Sequence, residues 1–157
     1  MPKTNSADVE VSDLKKHLGF WLRFVSNHVS HAFAQKLQAS GVTVAEWVVL
    51  REIYGKEAVS PSAVAGRTGL TRGAVSKLVD RLFEKKLVTR EESSLDRRFQ
   101  DVALTPAGKR LIPQLAALAD ENDSQFFSAL AAKEKDSLLE ILKKLVQANR
   151  LSKIPID

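Results

Sequence analysis

The sequence predicts a mainly α-helical fold with one β-hairpin, which follows the fourth of six helices. Apolar residues recur at steps of three and four near both ends of the chain, which is typical of amphipathic helices. Ser or Thr stands where several helices are expected to begin, often followed by Pro or, three residues later, by Glu. Residues 87–90 and 99–104 instead have the composition of two short strands around a charged loop.

The first two helices are marked by an apolar stripe and by glycines. The first is expected over residues 14–39, before Gly41, because a glycine commonly follows the last turn of a helix. The second begins at Thr43, with Glu46 completing a capping box, and stops at Gly55. The stripe of the first helix comprises Leu14, Leu18, Trp21, Leu22, Val25, Val29, Phe33 and Leu37.

Three of the four further helices have their own start signals. Ser60 and Pro61 start the third, and Thr71 starts the fourth. The fifth begins at residues 105–106 and runs to about residue 130, with a kink expected at Pro113 because proline lacks the donor for a helical hydrogen bond. The sixth covers about residues 133–149.

Composition narrows the classes of protein. The 157 residues suit one domain, and 44% hydrophobic with 27% charged residues is an ordinary globular mixture. The absence of cysteine excludes disulfides, cysteine-ligated zinc and a thiol redox sensor. No apolar run reaches the roughly 18 residues of a membrane span, and residues 1–17 lack the apolar core of a signal peptide. We therefore expect a cytoplasmic protein without membrane contact.

Positive charge is concentrated in the centre of the chain. The net charge is +5, and residues 51–110 hold 13 Lys and Arg against 8 Asp and Glu. The segments on either side are close to neutral. A basic region of this kind is expected of a surface that binds phosphates, although +5 alone is also a common charge for solubility.

The fourth helix separates into an apolar and a polar face. We expect the apolar face to pack against the third and second helices; it holds Ala74, Val75, Leu78, Val79, Leu82 and Phe83. On the polar face, Gly73 and Ser76 are small enough to let the backbone approach a groove floor, and Arg72 and Lys77 can reach base edges or phosphates. Arg81 is a further predicted DNA-binding residue of this face, which also holds Asp80 and Glu84. An ordinary solvated helix face is the alternative.

The loop of the hairpin carries Asp96, Arg97 and Arg98. If the backbone is extended there, Asp96 and Arg98 point the same way, and the carboxylate can hold the guanidinium ready for a ligand. Arg97 then points away, toward a phosphate. A basic hairpin directly after a basic helix with small side chains on its polar face predicts a helix-turn-helix with a wing that binds double-stranded DNA. A charged hairpin that merely resists aggregation is the alternative.

These residues resemble the MarR-type transcriptional regulators, which are dimeric winged helix-turn-helix proteins. The resemblance covers about residues 14–146 and is most specific in residues 70–82 and in 96–98 with 102–108. It implies that Thr71, Arg72, Ser76 and Lys77 lie on the recognition helix and that Asp96 supports a wing arginine, Arg98. The family usually has Gly at the end of that helix. Here the position is Lys86, so we expect a slightly different junction with the wing.

The resemblance implies a single domain over residues 1–157, divided into a winged helix-turn-helix lobe (about 43–105) and dimerisation helices (about 14–40 and 106–149). The apolar stripes of the terminal helices are also too long for one small core to cover, which favours a homodimer. A dimer would place two recognition helices roughly 34 Å apart on a pseudo-palindromic site. Repression by occupation of that site is the expected function. A winged-helix module for protein contacts, without ligand sensing, is the alternative.

An effector is a weaker expectation. Members of the family often bind small aromatic or phenolic acids between the two lobes, and the first helix offers Trp21, Arg23, His28 and His31 as an aromatic and cationic set. Packing in the dimer core is the alternative for Trp21. His28 and His31 without a further ligand are weak evidence for a metal, so no metal and no cofactor are predicted. No nucleophile–base set or phosphate-binding loop indicates an enzyme.

Overall fold

The computed structural model describes residues 10–153, and these residues form six α-helices and a two-stranded sheet. The mainly helical fold class and the predicted order of elements are confirmed. In chain order the elements are α1 (Leu18–Leu37), α2 (Val44–Ile53), α3 (Pro61–Thr68), α4 (Arg72–Glu84), β1 (Val88–Glu92), β2 (Gln100–Leu104), α5 (Pro106–Phe126) and α6 (Ala132–Ala148).

The first predicted helix is wrong at both ends. Its start is a separate 3-10 turn, Leu14–Lys16, in which Asp13 accepts a hydrogen bond from the Lys15 amide at 2.8 Å. His17 has extended backbone, so α1 begins only at the next residue. At the other end, Gln38–Ser40 form a second 3-10 turn. The helix was predicted too long because the apolar spacing continues through both turns, and spacing alone does not reveal a local side-chain cap.

The other start signals act as predicted. The hydroxyl oxygens of Thr43, Ser60, Thr71 and Thr105 each accept a hydrogen bond from the amide three residues on, which satisfies a free N–H of the first helical turn. The helix α5 continues through Pro113 but ends at Phe126, short of the predicted residue 130.

The core lies in the central lobe and leaves the last helix uncovered. It is formed by the C-terminal end of α1, by α2, α3 and α4, by the sheet, and by the first half of α5. Complete burial of a large aliphatic side chain contributes about 1.5–3 kcal/mol. No residue of α6 is buried within one chain. The largest fully buried apolar side chains are Leu37, Leu50, Ile53, Leu82, Ile112 and Leu115.

The sheet is an antiparallel hairpin tied to the segment before α3. Val88 pairs with Leu104, and Glu92 pairs with Gln100 at the far end. Val59 exchanges two backbone hydrogen bonds with Val102, at 2.8 and 2.9 Å, which holds the base of the hairpin on the core. The strands correspond to those predicted, except that each begins one residue later and β1 extends two residues further.

A buried carboxylate joins the end of α4 to the start of α2. The ammonium of Lys85 donates to Glu46 Oε2 and to the carbonyl oxygen of Gly41, both at 2.7 Å. The side chain of Glu46 is 1% exposed. Burial alone would raise its pKa, but the hydrogen bonds from Lys85 and from the Thr43 amide, with the charges of Lys85 and Arg81, hold the pKa below 4.5.

We predict that Lys85→Met lowers the free energy of unfolding by about 3 kcal/mol at pH 7, because it leaves a buried carboxylate without its cation. Since the folded-state pKa of Glu46 is lowered, the stabilisation is complete above pH 4.5 and disappears as the pH falls through the folded-state value. The difference between the variant and the original chain should therefore shrink in urea titrations below pH 4.5. Lys86→Met, at an exposed neighbouring position, is the control, and an equal loss in both variants would contradict the assignment.

The first turn of α5 lies directly on the backbone that leaves α4. The amide of Thr105 donates to the Leu87 carbonyl at 3.1 Å, and the Thr105 hydroxyl donates to the Lys86 carbonyl at 2.8 Å. A Cβ added to Gly108 would lie 2.2 Å from the Leu87 oxygen. Glycine at position 108 thus allows a contact between backbones that any other residue would prevent.

We predict that Gly108→Ala lowers the free energy of unfolding by about 1–3 kcal/mol, because the added methyl group forces α5 away from Leu87. Gly66→Ala is the matched control. A methyl group there meets open space on an exposed face of α3, so stability should be unchanged or raised by up to about 1 kcal/mol. Urea denaturation of both variants measures the difference, and similar values for the two would contradict the close approach.

Candidate nucleic-acid interface

Helices α3 and α4 form a helix-turn-helix with a tight turn. Gly69 has a φ of 76°, a left-handed conformation that glycine adopts without strain. The hydroxyl of Thr68 accepts from the Leu70 amide at 3.3 Å, which adds a hydrogen bond across the turn. The turn leads directly to Thr71, the N-cap of α4.

The buried face of α4 agrees with the prediction except at its end. Val75, Leu78, Val79 and Leu82 are buried in the core, and Ala74 is partly buried. Phe83 is 45% exposed, so its predicted burial is wrong. It lies at the edge of the apolar face in the last turn, where an arginine of β1 covers the ring instead of the core.

The opposite face of α4 presents free cations. Arg72, Lys77 and Arg81 are all exposed, and within the described residues none of their side chains is in an ion pair. Gly73 and Ser76 are exposed between them, and space around Gly73 is open. A ligand can therefore approach this face closely and meet positive charge on both sides.

Thr71 has a structural role at the start of the same helix. Its hydroxyl oxygen accepts from the Ala74 amide at 3.1 Å and caps α4. The hydroxyl hydrogen is still available to a ligand, since the cap uses the oxygen as acceptor only. The predicted DNA-contacting residues within α4 are thus brought together on one accessible face, and Thr71 lies partly exposed at the start of the helix.

The loop of the hairpin holds Arg98 through Asp96, but by a turn. The Phe99 amide donates to the Asp96 carbonyl at 3.0 Å, so the backbone is not extended as expected. Asp96 Oδ1 accepts from the Arg98 amide at 3.0 Å, and the guanidinium contacts the carboxylate at 2.7–3.2 Å. The predicted pairing of Asp96 with Arg98 is confirmed, but the extended backbone from which it was predicted is wrong. A single carboxylate shapes the turn and aims the arginine.

The charges of this pair support each other. The Arg98 guanidinium, and then its backbone amide, hold the pKa of the Asp96 carboxyl below its ordinary value. Asp96 in turn raises the pKa of Arg98. The Arg98 side chain is nevertheless 83% exposed, so it is oriented without being covered. Arg97 is still more exposed, and its Nε lies 3.6 Å from Glu92.

The junction between α4 and the hairpin keeps a left-handed residue despite the lysine. Lys86 has a φ of 59°, and the amides of Lys86 and Leu87 donate to the carbonyls of Phe83 and Leu82 at 2.9 and 3.0 Å. This is the hydrogen-bond pattern of a helix end that usually has glycine. The expected difference at the junction is therefore absent from the backbone, and Lys86 accepts the less favourable conformation.

Sequence reasoning did not single out Arg90 as a functional residue. Its guanidinium carbon lies 4.6 Å from the ring centre of Phe83, and Nη2 pairs with Asp80 Oδ1. The sequence contained a signal for it, because alternate residues of a strand lie on the same face and Arg90 follows the buried Val88 by two. That face is turned toward α4.

The residues suggested for an effector all lie exposed on α1, but they do not form one group. The ring of Phe24 lies between two of them, with its centre 6.4 Å from Trp21 and 4.7 Å from His28. His31 follows one turn later on nearly the same side, whereas Arg23 lies on the opposite side of the helix from Trp21. The Trp21 ring nitrogen already donates to the Lys15 carbonyl at 2.9 Å.

A helix-turn-helix followed by a basic hairpin, with unpaired cations on the described face of α4 and exposed arginines at the hairpin tip, defines a winged-helix DNA-binding protein. A model of the MarR family matches residues 40–98 of this chain. Its relatives are regulators and not enzymes. In the described residues no helix is long and apolar enough to cross a membrane.

Three relatives illustrate the similarity. The transcriptional repressor MdtR of Bacillus subtilis is 27% identical over 143 residues, which cover 91% of this chain and 90% of MdtR. A mutant MarR of Escherichia coli complexed with operator DNA is 26% identical, with a TM-score of 0.79 and coverage of 86% and 99%. BpsR of Bordetella bronchiseptica, whose DNA binding is regulated by 6-hydroxynicotinic acid, is 26% identical, with a TM-score of 0.81 and coverage of 87% and 97%.

Proposed function

We propose that the protein is a cytoplasmic, homodimeric repressor that binds a pseudo-palindromic DNA site and is released by a small aromatic acid. The observation that carries the DNA-binding part is that α4 exposes Arg72, Lys77 and Arg81 without ion pairs in the described residues, while the hairpin that follows exposes Arg98. The relative bound to operator DNA and the relative named as a repressor support the same function.

Each predicted DNA-binding residue has a proposed role. Gly73 and Ser76 allow α4 to lie deep in the major groove, where Arg72 and Lys77 reach base edges or phosphates. Arg81, Thr71 and Arg97 bind the phosphate backbone on either side. Asp96 does not contact DNA but orients Arg98, which enters the minor groove or binds its phosphates.

We predict that Arg98→Ala weakens binding to DNA by about tenfold, equivalent to about 1–2 kcal/mol, and leaves the melting temperature unchanged because the side chain is exposed. The DNA is a duplex selected by the original chain from a random library, and affinity is measured by gel shift at fixed salt. Lys144→Ala removes one positive charge from α6 and is the control. Equal affinities for the two variants would exclude the wing contact.

The homodimer is inferred from apolar surface that one chain leaves uncovered. On α1, Trp21 and Phe24 are about half exposed, and α6 has no buried residue. A soluble monomer rarely exposes so much contiguous apolar area, so a second copy is the economical cover. On and after α6 the exposed apolar residues are Leu139, Ile141, Leu142, Leu145, Val146 and Leu151.

We predict that Val146→Asp raises the dissociation constant of the dimer by about tenfold or more, because it places a charge among apolar partners. Sedimentation equilibrium should show twice the 17.3 kDa chain mass for the original protein and a shift toward one chain mass for the variant. Ser137→Asp adds the same charge on the opposite face of α6 and should leave the dimer intact. A monomeric original protein would contradict the proposal.

The proposed effector is an aromatic carboxylic acid that binds against α1. The exposed row of Trp21, Phe24 and His28 offers ring faces, and His28 and His31 offer hydrogen bonds to a carboxylate. Regulation of BpsR by 6-hydroxynicotinic acid supports this chemistry. The ligand would favour a spacing of the two α4 helices that no longer fits adjacent major grooves, to the extent that it binds that state more tightly.

We predict that one or more aromatic acids in a thermal-shift screen raise the melting temperature, because a ligand that binds only the folded state stabilises it. The same compound should weaken the gel shift, and Trp21→Ala should reduce its stabilising effect. A compound that stabilises the protein equally with Trp21→Ala would place the effector elsewhere.

A further inference from the structure

We propose that Arg90 is a positioning residue for DNA binding, which fixes the hairpin tip relative to α4 through Asp80 and Phe83. The inference rests on the proposed function, because it concerns how Arg98 and the α4 cations reach DNA together. It assigns a role to three residues that have no proposed contact with DNA.

The guanidinium of Arg90 is held from two sides by α4. Its carbon lies 4.6 Å from the centre of the Phe83 ring, and its Nη2 pairs with the carboxylate of Asp80. Arg90 is partly buried, with a side chain 30% exposed, in contrast to the almost fully exposed arginines of the hairpin tip. The arrangement also explains why a phenylalanine lies half-exposed at the end of α4.

This contact is placed where the hairpin leaves the core. On the inner face of β1, Val88 is buried in the core, Arg90 contacts α4, and Glu92 lies near Arg97 of the tip. Within the described residues, the pair of Arg90 and Asp80 is the only side-chain hydrogen bond or ion pair between α4 and β1. The pair therefore adds a side-chain link between recognition helix and hairpin beyond the backbone hydrogen bonds at the hairpin base.

The geometry favours positioning over a direct DNA contact. The charge of Arg90 is paired with a carboxylate, and one face of its planar group is covered by a ring. Arg72, Lys77 and Arg98 present more accessible charge to DNA. A planar guanidinium can make an ion pair and stack on a ring at the same time, which lysine cannot do equally well.

The decisive experiment uses Asp80→Asn, because the two roles predict opposite effects. If Arg90 contacts phosphate directly, removal of the Asp80 charge frees Arg90 and strengthens binding. If Arg90 positions the hairpin, the same change loosens it and weakens binding by about threefold to tenfold. Glu84→Gln removes the same charge from an exposed neighbour on α4 that has no ion pair in the described structure, and should bind as well as or better than the original chain.

A second arm tests whether the effect acts through the wing. In an Arg98→Ala background, Asp80→Asn should lower the affinity for DNA by less than about twofold, because the Arg98 contact that Arg90 would position is already absent. Phe83→Leu, which removes the ring under Arg90, should also weaken binding to DNA. This variant replaces Asp80→Asn in the test if Asp80→Asn lowers the melting temperature. All affinities are measured by gel shift on the 30-bp duplex selected from a random library by the original chain.

The outcomes separate the inference from the function on which it rests. Failure of the original chain to select any duplex would overturn the proposed function itself. If the original chain binds, Asp80→Asn affinity equal to that of Glu84→Gln overturns the positioning role. An equal loss with and without Arg98 also overturns it, because Arg90 would then act independently of the wing.

Discussion

The ion pair between Lys85 and Glu46 is the constraint around which the DNA-binding lobe is arranged. It holds the C-terminal end of α4 against the start of α2, and the same ammonium reaches the Gly41 carbonyl at the end of the preceding turn. A buried carboxylate that also completes a helix cap cannot move without losing the hydrogen bonds from Lys85 and from the Thr43 amide. The orientation of the recognition helix is therefore set at its far end, away from the surface that it offers to DNA.

The chain reversal after α4 transmits this orientation to the hairpin. Lys86 adopts a left-handed conformation, which costs about 1–2 kcal/mol for a residue with a Cβ atom. The backbone of Leu87 then receives the first turn of α5 so closely that only Gly108 fits. Arg90 adds a contact between hairpin and helix further out. The two DNA-binding elements thus share one rigid base, while the apolar surfaces of α1 and α6 lie outside it.

Local signals predicted the elements well because their causes are local. Thr43, Ser60, Thr71 and Thr105 mark helix starts since each hydroxyl satisfies an amide three residues away. The pairing of Asp96 with Arg98 was also visible, as the two residues are neighbours in any compact loop. The extent of the first helix was not predicted correctly, because apolar spacing does not reveal the 3-10 turn that Asp13 caps.

The sequence by itself determined the order of helices and strands, the two faces of α4 and the central position of positive charge. These follow from periodicity, capping and composition, which require no knowledge of distant residues. Only the tertiary structure decided which charges are free and which are used. Lys85 forms an ion pair with Glu46, and Arg90 forms one with Asp80, whereas Arg72, Lys77 and Arg81 are not paired within the described residues. Partners that lie 39 and 10 positions apart in the chain meet only after folding, so a one-dimensional pattern does not distinguish a binding cation from a structural one.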